Sequence, residues 1–107
     1  MAKIILKKET FTIEDGNYEG IITDIITCST GKIMLKIELS DDSNIVFMKS
    51  YTPEQLGKYP IAALFISIDS DDTDDLKDMK VSFEVKNEKS KKTGNNFCNI
   101  KKIKNIG

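Results

Sequence analysis

Residues 32–51 read KIMLKIELSDDSNIVFMKSY, and this stretch decides the fold class. The polar residues 40–44 are turn formers, and the mostly apolar residues 45–51 follow them, so the stretch predicts a β-hairpin. Within its first strand every second residue is a branched aliphatic, as in a strand with one buried face: Ile33, Leu35, Ile37 and Leu39. A chain organised around this hairpin is predicted to be all-β.

More strands are predicted on both sides of this hairpin. β-Branched residues crowd residues 18–27, which suits a pleated strand, and Gly20 marks a bulge or a sharp coil within it. Residues 80–86 alternate between apolar and polar, and residues 97–103 return after a polar tip, so together they predict a second hairpin. Residues 3–8, KIILKK, fit either an edge strand or an arm.

A helical interruption is predicted between the two hairpins. Residues 52–55, TPEQ, form a helix-start signature, because threonine can cap a helix, proline suits its first position and glutamine completes a capping box. Pro60 ends or restarts this helix. Residues 61–68 then form a second short helix or a buried strand, and the Ala-Ala-Leu at 62–64 favours the helix. The acidic residues 69–78 predict an exposed loop, in which residues 74–77 could form a short turn of helix.

The order of these elements favours one architecture. Three strands, a helical crossover of about 25 residues and a final hairpin are the order of a five-stranded Greek-key barrel of the oligonucleotide/oligosaccharide-binding (OB) type, with the helix between strands three and four. The 107 residues fit one such domain, over residues 1–107. Closing the sheet into a barrel removes edges that so small a protein could not otherwise cover.

Composition argues against several classes of site. The chain has no histidine and no tryptophan, and Cys28 and Cys98 are too far apart in sequence for a zinc knuckle or a disulfide scaffold. The aspartates of residues 69–78 lack the glycine and the distant glutamate of an EF-hand, so no metal site is predicted there. We therefore expect no catalysis and no cofactor. The longest apolar run, residues 61–66, is far shorter than the roughly 20 residues of a membrane span, and we expect a cytoplasmic protein.

Charge is divided along the chain. Residues 69–79 hold six Asp against one Lys, a local charge of −5, whereas residues 80–107 hold eight Lys against two Glu, a local charge of +6. All 16 basic residues are lysines. Paired readout of guanine by arginine is therefore not available to this chain, and lysine offers a mobile point charge instead. Nucleotide bias explains most of the missing arginine, since an AT-rich genome tends to encode lysine, isoleucine, asparagine and aspartate.

Three stretches carry a resemblance to a known family. They are DGNYEGII at residues 15–22, LKDMKVSFEV at residues 76–85 and GNNFCNI at residues 94–100. They resemble the small single-stranded-DNA-binding-like OB-fold proteins of phages and conjugative elements in low-GC Gram-positive bacteria. The resemblance implies a non-catalytic protein that binds single-stranded DNA without sequence preference and supports the replication or recombination of a mobile element.

An OB barrel places nucleic acid across its second and third strands, between the loop that joins the first two strands and the loop that joins the last two. Such binding needs cations along the phosphates and flat side chains beneath the bases. The candidate nucleic-acid-binding residues are Lys32, Met34, Lys36, Phe47, Lys49 and Tyr51 on the strands, Lys86, Lys89, Lys91 and Lys92 around the last tip, and Phe97 at its base.

The register of residues 45–51 decides whether two of these rings are accessible. Lys49 shares a strand face with Phe47 and Tyr51. Because a lysine seldom points into a thin core, this face is predicted to point outward. The opposite register would place Phe47 in the core.

Two other interpretations remain open at this stage. Lysines on a hairpin tip also protect strand edges from aggregation. The same barrel could instead be a protein-interaction or assembly module that uses an exposed strand and binds no nucleic acid. The sequence alone does not distinguish DNA from RNA as the partner, or a monomer from a homo-oligomer.

Overall fold

A computed structural model describes residues 8–41, 44–58, 60–89, 94 and 96–107 of this protein, and most of these residues lie in strands. Two short helices and one 3-10 turn connect the fourth strand to the fifth. The strands are β1 (Lys8–Thr10), β2 (Gly16–Thr27), β3 (Ile33–Leu39), β4 (Ile45–Tyr51), β5 (Lys80–Lys89) and β6 (Asn96–Asn105). The helices are α1 (Pro53–Lys58) and α2 (Ala62–Ser67), and the 3-10 turn is Thr73–Leu76.

The strands form one mixed sheet in the order β1-β4-β3-β2-β5-β6. β1 runs parallel to β4, and every other neighbouring pair is antiparallel. The all-β prediction is confirmed, but the described residues form a sheet of six strands rather than five. The extra strand begins at Lys8, the last residue of the predicted edge strand or arm, while residues 3–7 lie outside the described residues.

The predicted closure into a barrel is not found among the described residues, where no backbone ladder joins β4 to β6. The pairing itself gives the reason. β1 occupies the outer edge of β4 from Ile45 to Phe47, and a lysine side chain reaches across from the remaining part of that strand. The sheet therefore has two edges, β1 and β6.

The sheet is nevertheless strongly curled. The rings of Phe47 on β4 and Phe83 on β5 stack with centroids 6.1 Å apart, although β3 and β2 lie between their strands. In a flat sheet, three strand spacings would separate them by about 14 Å. Tyr18 also stacks with Phe83, with ring centroids 5.8 Å apart, so Phe83 contacts two other aromatic rings.

The core lies on this concave face. The alternation predicted for β3 is confirmed, since all four of its branched aliphatic residues are buried. Gly20 lies where β2 pairs with both β3 and β5, and a Cβ atom there would lie 2.6 Å from the Glu38 carbonyl oxygen. The irregularity expected at Gly20 lies further along β2, where the pairing with β3 shifts between Ile22 and Asp24. Glycine at position 20 instead permits a close approach of two backbones.

The helical interruption forms as predicted. The Thr52 N–H donates to Gln55 Oε1 at 2.9 Å, and the Gln55 N–H donates to Thr52 Oγ1 at 3.3 Å, so the capping box is present. Residues 61–68 include α2, which packs against β6 with Leu64 buried. Within the part of the chain that the structure describes, no helix has the length and apolar character needed to cross a membrane.

The predicted outward face of β4 is wrong. Phe47 is 0% exposed and Tyr51 is 2% exposed, and both belong to the core. Val46 and Met48, on the opposite face of the strand, are also buried. Because both faces of β4 are apolar and covered, the alternation of its residues does not reveal which face points inward.

Candidate nucleic-acid interface

The predicted site residues at β3 are present, but part of their positive charge is neutralised by nearby carboxylates. Lys32 is exposed, and Met34 and Lys36 are half-buried on the convex face of the strand. The Lys36 ammonium forms an ion pair with Glu9 at 3.1 Å, and Asp24 is its ladder partner on β2. A lysine held between carboxylates offers little attraction to a phosphate.

Lys49 fills the gap between β4 and β6. Its ammonium donates a 2.7 Å hydrogen bond to the carbonyl oxygen of Cys98 on β6. The same ammonium lies 5.9 Å from the centroid of the Tyr51 ring and 5.8 Å from that of Phe97. Burial lowers the pKa of Lys49 from its ordinary value, with smaller opposing effects from Cys98 and Glu88. The lysine can face inward because the sheet is open beside it, and an inward-pointing charge at a strand edge also discourages edge pairing.

The β5–β6 hairpin carries the densest positive charge among the described residues. Lys86 and Lys89, both predicted site residues, are exposed on β5, while Lys91 and Lys92 lie outside the described residues. The sequence prediction omitted three exposed lysines on β6, namely Lys101, Lys102 and Lys104. The local charge of +6 over residues 80–107 already pointed to them. With Lys80, the described hairpin holds six lysines against Glu84 and Glu88, a charge of +4.

Phe97 provides an accessible aromatic ring on this positively charged hairpin. It is 38% exposed near the start of β6, and its ladder partner on β5 is Glu88. Glu88 forms an ion pair with Lys101, whose hydrogen bond is the main reason that the pKa of Glu88 is lowered. The ion pair directs the carboxylate of Glu88 toward Lys101. On the Phe97 ring itself, the nearby charge is the Lys49 ammonium.

Side-chain hydrogen bonds hold the turn end of the hairpin to the chain that precedes β2. Asp15 Oδ1 accepts hydrogen bonds from the Asn87 backbone N–H and from Asn87 Nδ2, both at 2.7 Å. These two bonds, the backbone one first, lower the pKa of Asp15. The buried Cys98 Sγ accepts from the Ile13 N–H at 3.2 Å and donates to Asn87 Oδ1 at 2.8 Å. The hairpin is therefore anchored at Ile13 and Asp15, close to where Phe97 emerges.

The structure thus divides the predicted site into three groups. Lys49, Lys86, Lys89 and Phe97 belong to the hairpin and the adjacent gap. Met34 and Lys36 lie on β3, and Lys32 directly precedes it; β2 and β5 separate β3 from β6 in the strand order. Phe47 and Tyr51 are in the core and cannot stack on bases.

The acidic segment uses some of its side chains to shape its own backbone. Asp72 Oδ1 accepts from the Asp74 N–H at 2.9 Å, and Ser70 donates to Asp75 at 2.6 Å. Over the described residues, no group of three or more histidine, cysteine, aspartate or glutamate side chains could hold a metal ion.

Comparisons with models of protein families, with curated proteins and with solved structures found no match to this chain. The candidate interface is therefore argued from its own residues.

Proposed function

We propose that this protein is a non-catalytic binder of single-stranded nucleic acid that contacts its ligand mainly through the β5–β6 hairpin. The observation that carries the proposal is the exposed ring of Phe97 on a hairpin with six described lysines and a charge of +4. A ring can stack on any base, and an ammonium can pair with any phosphate, so this combination suits a flexible strand of any sequence.

The chain is further proposed to be a variant of the OB type. The pairing of strands β2 to β6 supports this: β2 pairs with both β3 and β5, β4 continues from β3, and β6 continues from β5. The two helices lie between β4 and β5, where an OB fold has its helix. The bond from Lys49 to the Cys98 carbonyl then takes the place of the backbone ladder that would close the barrel.

Single-stranded DNA in the cytoplasm is the proposed ligand, and replication or recombination of a phage or mobile element is the proposed setting. The resemblance of three sequence stretches to the phage and conjugative-element proteins supports this assignment. The lack of arginine agrees with it, because a protein that coats DNA of any sequence has no need of bidentate base readout.

Hairpin lysines should determine how binding depends on salt. We expect the logarithm of the affinity for labelled oligo-dT to fall with the logarithm of salt concentration with a slope of about −2 to −4, since each contacting lysine contributes about −0.7 on a single strand. The triple variant Lys86→Gln, Lys89→Gln, Lys102→Gln should flatten this slope by about 2. Fluorescence anisotropy at several salt concentrations measures it.

A matched triple variant elsewhere provides the control. Lys8→Gln, Lys58→Gln and Lys77→Gln remove the same charge from exposed positions that lie outside the hairpin and outside the candidate site. This variant should keep most of the original slope. Equal flattening by the two variants would show that total charge, and not the hairpin, governs binding.

Phe97 should contribute stacking energy that salt does not screen. Phe97→Ala is expected to weaken oligo-dT binding by about 1 to 3 kcal/mol, the usual contribution of one stacked base. Phe97→Tyr should retain binding, whereas Phe97→Leu, which keeps apolar bulk but lacks a π-face, should lose nearly as much as alanine. Binding that survives in both the alanine and leucine variants, at unchanged thermal stability, would exclude Phe97 from the interface.

A further inference from the structure

The end of α2 carries an apolar patch with an acidic rim. Ile66 is 79% exposed, which is the highest value among the large hydrophobic side chains that the structure describes as exposed. It lines a shallow groove of about 530 Å³ together with Phe65, Asp69, Ser70 and Asp71. Phe65 packs partly against the core, so the groove has a fixed apolar floor beside Ile66. We refer to these five residues as the α2 patch.

The α2 patch and the β5–β6 hairpin are chemically complementary. The patch combines apolar side chains with Asp69 and Asp71 inside a segment of charge −5. The Phe97 end of the hairpin combines the exposed ring with three described lysines, Lys86, Lys89 and Lys101, against Glu88, a local charge of +2. Contact between two α2 patches would bring their own aspartates together, and contact between two hairpins would bring their lysines together. Both symmetric contacts are therefore disfavoured by like charge.

The two surfaces lie at opposite ends of β6. Asn105, the last residue of β6, has its Nδ2 3.5 Å from Ser67 Oγ at the end of α2. Phe97 comes eight residues earlier, about 26 Å away along an extended strand. The hairpin of one molecule therefore cannot cover the α2 patch of the same molecule, but it can reach the patch of a neighbour.

We propose that copies of this protein associate head to tail, with the β5–β6 hairpin of one copy seated on the α2 patch of the next. Phe97 enters the groove beside Ile66, and Lys86, which shares the strand face of Phe97, approaches Asp69 and Asp71. Because the contact joins two different surfaces, it does not close on itself unless the rotation between copies forms a ring. The contact uses the same Phe97 ring that the proposed function assigns to nucleic acid, so the two partners compete for it. Self-association needs no nucleic acid and is tested without it, so its failure leaves the proposed function standing.

The test uses the full chain without nucleic acid in sedimentation velocity at rising protein concentration. At low salt the unmodified protein should form a series of oligomers, and high salt should weaken their association because the contact pairs opposite charges. Ile66→Ser and Phe97→Ser should each weaken self-association about tenfold or more, since each removes an apolar side chain that the contact buries. The double variant Asp69→Asn, Asp71→Asn should weaken it as well.

Mixing the two single variants gives the decisive result. Ile66→Ser keeps an intact hairpin, and Phe97→Ser keeps an intact α2 patch, so a mixture should form one contact and stop at a heterodimer. Glu19→Gln with Asp24→Asn removes the same charge as the aspartate double variant, from exposed positions on β2, and should leave the oligomers unchanged. A monomer at all concentrations and salts, or a mixture that stays monomeric, would overturn the proposal. Self-association of Phe97→Ser alone at the strength of the unmodified protein would also overturn it.

Discussion

Phe47→Ala is expected to lower the free energy of unfolding by about 3 to 5 kcal/mol, which is a large part of the stability of a domain this size. Phe47 is fully buried, and its ring stacks on Phe83 at 6.1 Å with the planes 9° apart. Removing the ring leaves a cavity where the two arms of the curled sheet meet, and Phe83 loses its contact with β4. Urea denaturation followed by circular dichroism measures the loss.

Two matched variants distinguish the effect of losing buried volume from the effect of losing an aromatic ring anywhere in the chain. Phe47→Leu keeps most of the buried volume and should cost about 1.5 kcal/mol or less. Phe11→Ala removes a ring that is 54% exposed and should change the stability by about 0.5 kcal/mol or less. If Phe47→Ala instead left the stability intact and abolished oligonucleotide binding, the outward register predicted from the sequence would be right.

Gly20→Ala should also destabilise the protein strongly, by about 2 to 3 kcal/mol or more. A Cβ atom at this position would lie 2.6 Å from the Glu38 carbonyl oxygen and 2.7 Å from Ile37 Cγ2. The nearest obstacle is backbone, which cannot rotate away as a side-chain tip can, so β2 and β3 must separate. The midpoint of thermal unfolding should fall by about 10 °C or more.

Gly57 supplies the matched control for this substitution. A Cβ atom at Gly57 meets no other atom within 4 Å, and the residue lies inside α1. Gly57→Ala should therefore raise the stability by about 0.5 to 1 kcal/mol, since alanine favours the helix and restricts the unfolded chain. A Gly20→Ala variant that melts like the unmodified protein would mean that β2 and β3 pack less closely than the structure places them.

The outcome for β4 relocates the candidate interface. With Phe47 and Tyr51 in the core and Lys36 paired with Glu9, the convex face of β3 and β4 loses the two rings and part of the charge expected there. Phe97 and the hairpin lysines then become the main combination of ring and cations among the described residues. The lysines of β6 strengthen it, and the charge count over residues 80–107 had already included them.

Local patterns predicted the elements that depend on neighbours in sequence. The alternation in β3, the capping box between Thr52 and Gln55 and the short helix after Pro60 all follow from interactions within a few residues. Each of these features has one dominant physical cause, so the pattern and the structure agree. The curl of the sheet, the parallel pairing of β1 and the missing ladder between β4 and β6 have no comparable signal, because they join segments far apart in the chain.

The sequence by itself determined the all-β class, the helical interruption and the division of charge between an acidic segment and a basic hairpin. Which face of β4 is buried, and hence which rings can meet a ligand, was decided only by tertiary structure. The physical reason is that a strand with apolar side chains on both faces can bury either face. Contacts with strands that are distant in the sequence determine which face is buried. Here Phe83 packs on Phe47 and favours the register that buries it. The Cys98 carbonyl oxygen accepts a hydrogen bond from the Lys49 ammonium, so the lysine can lie on the same inward face.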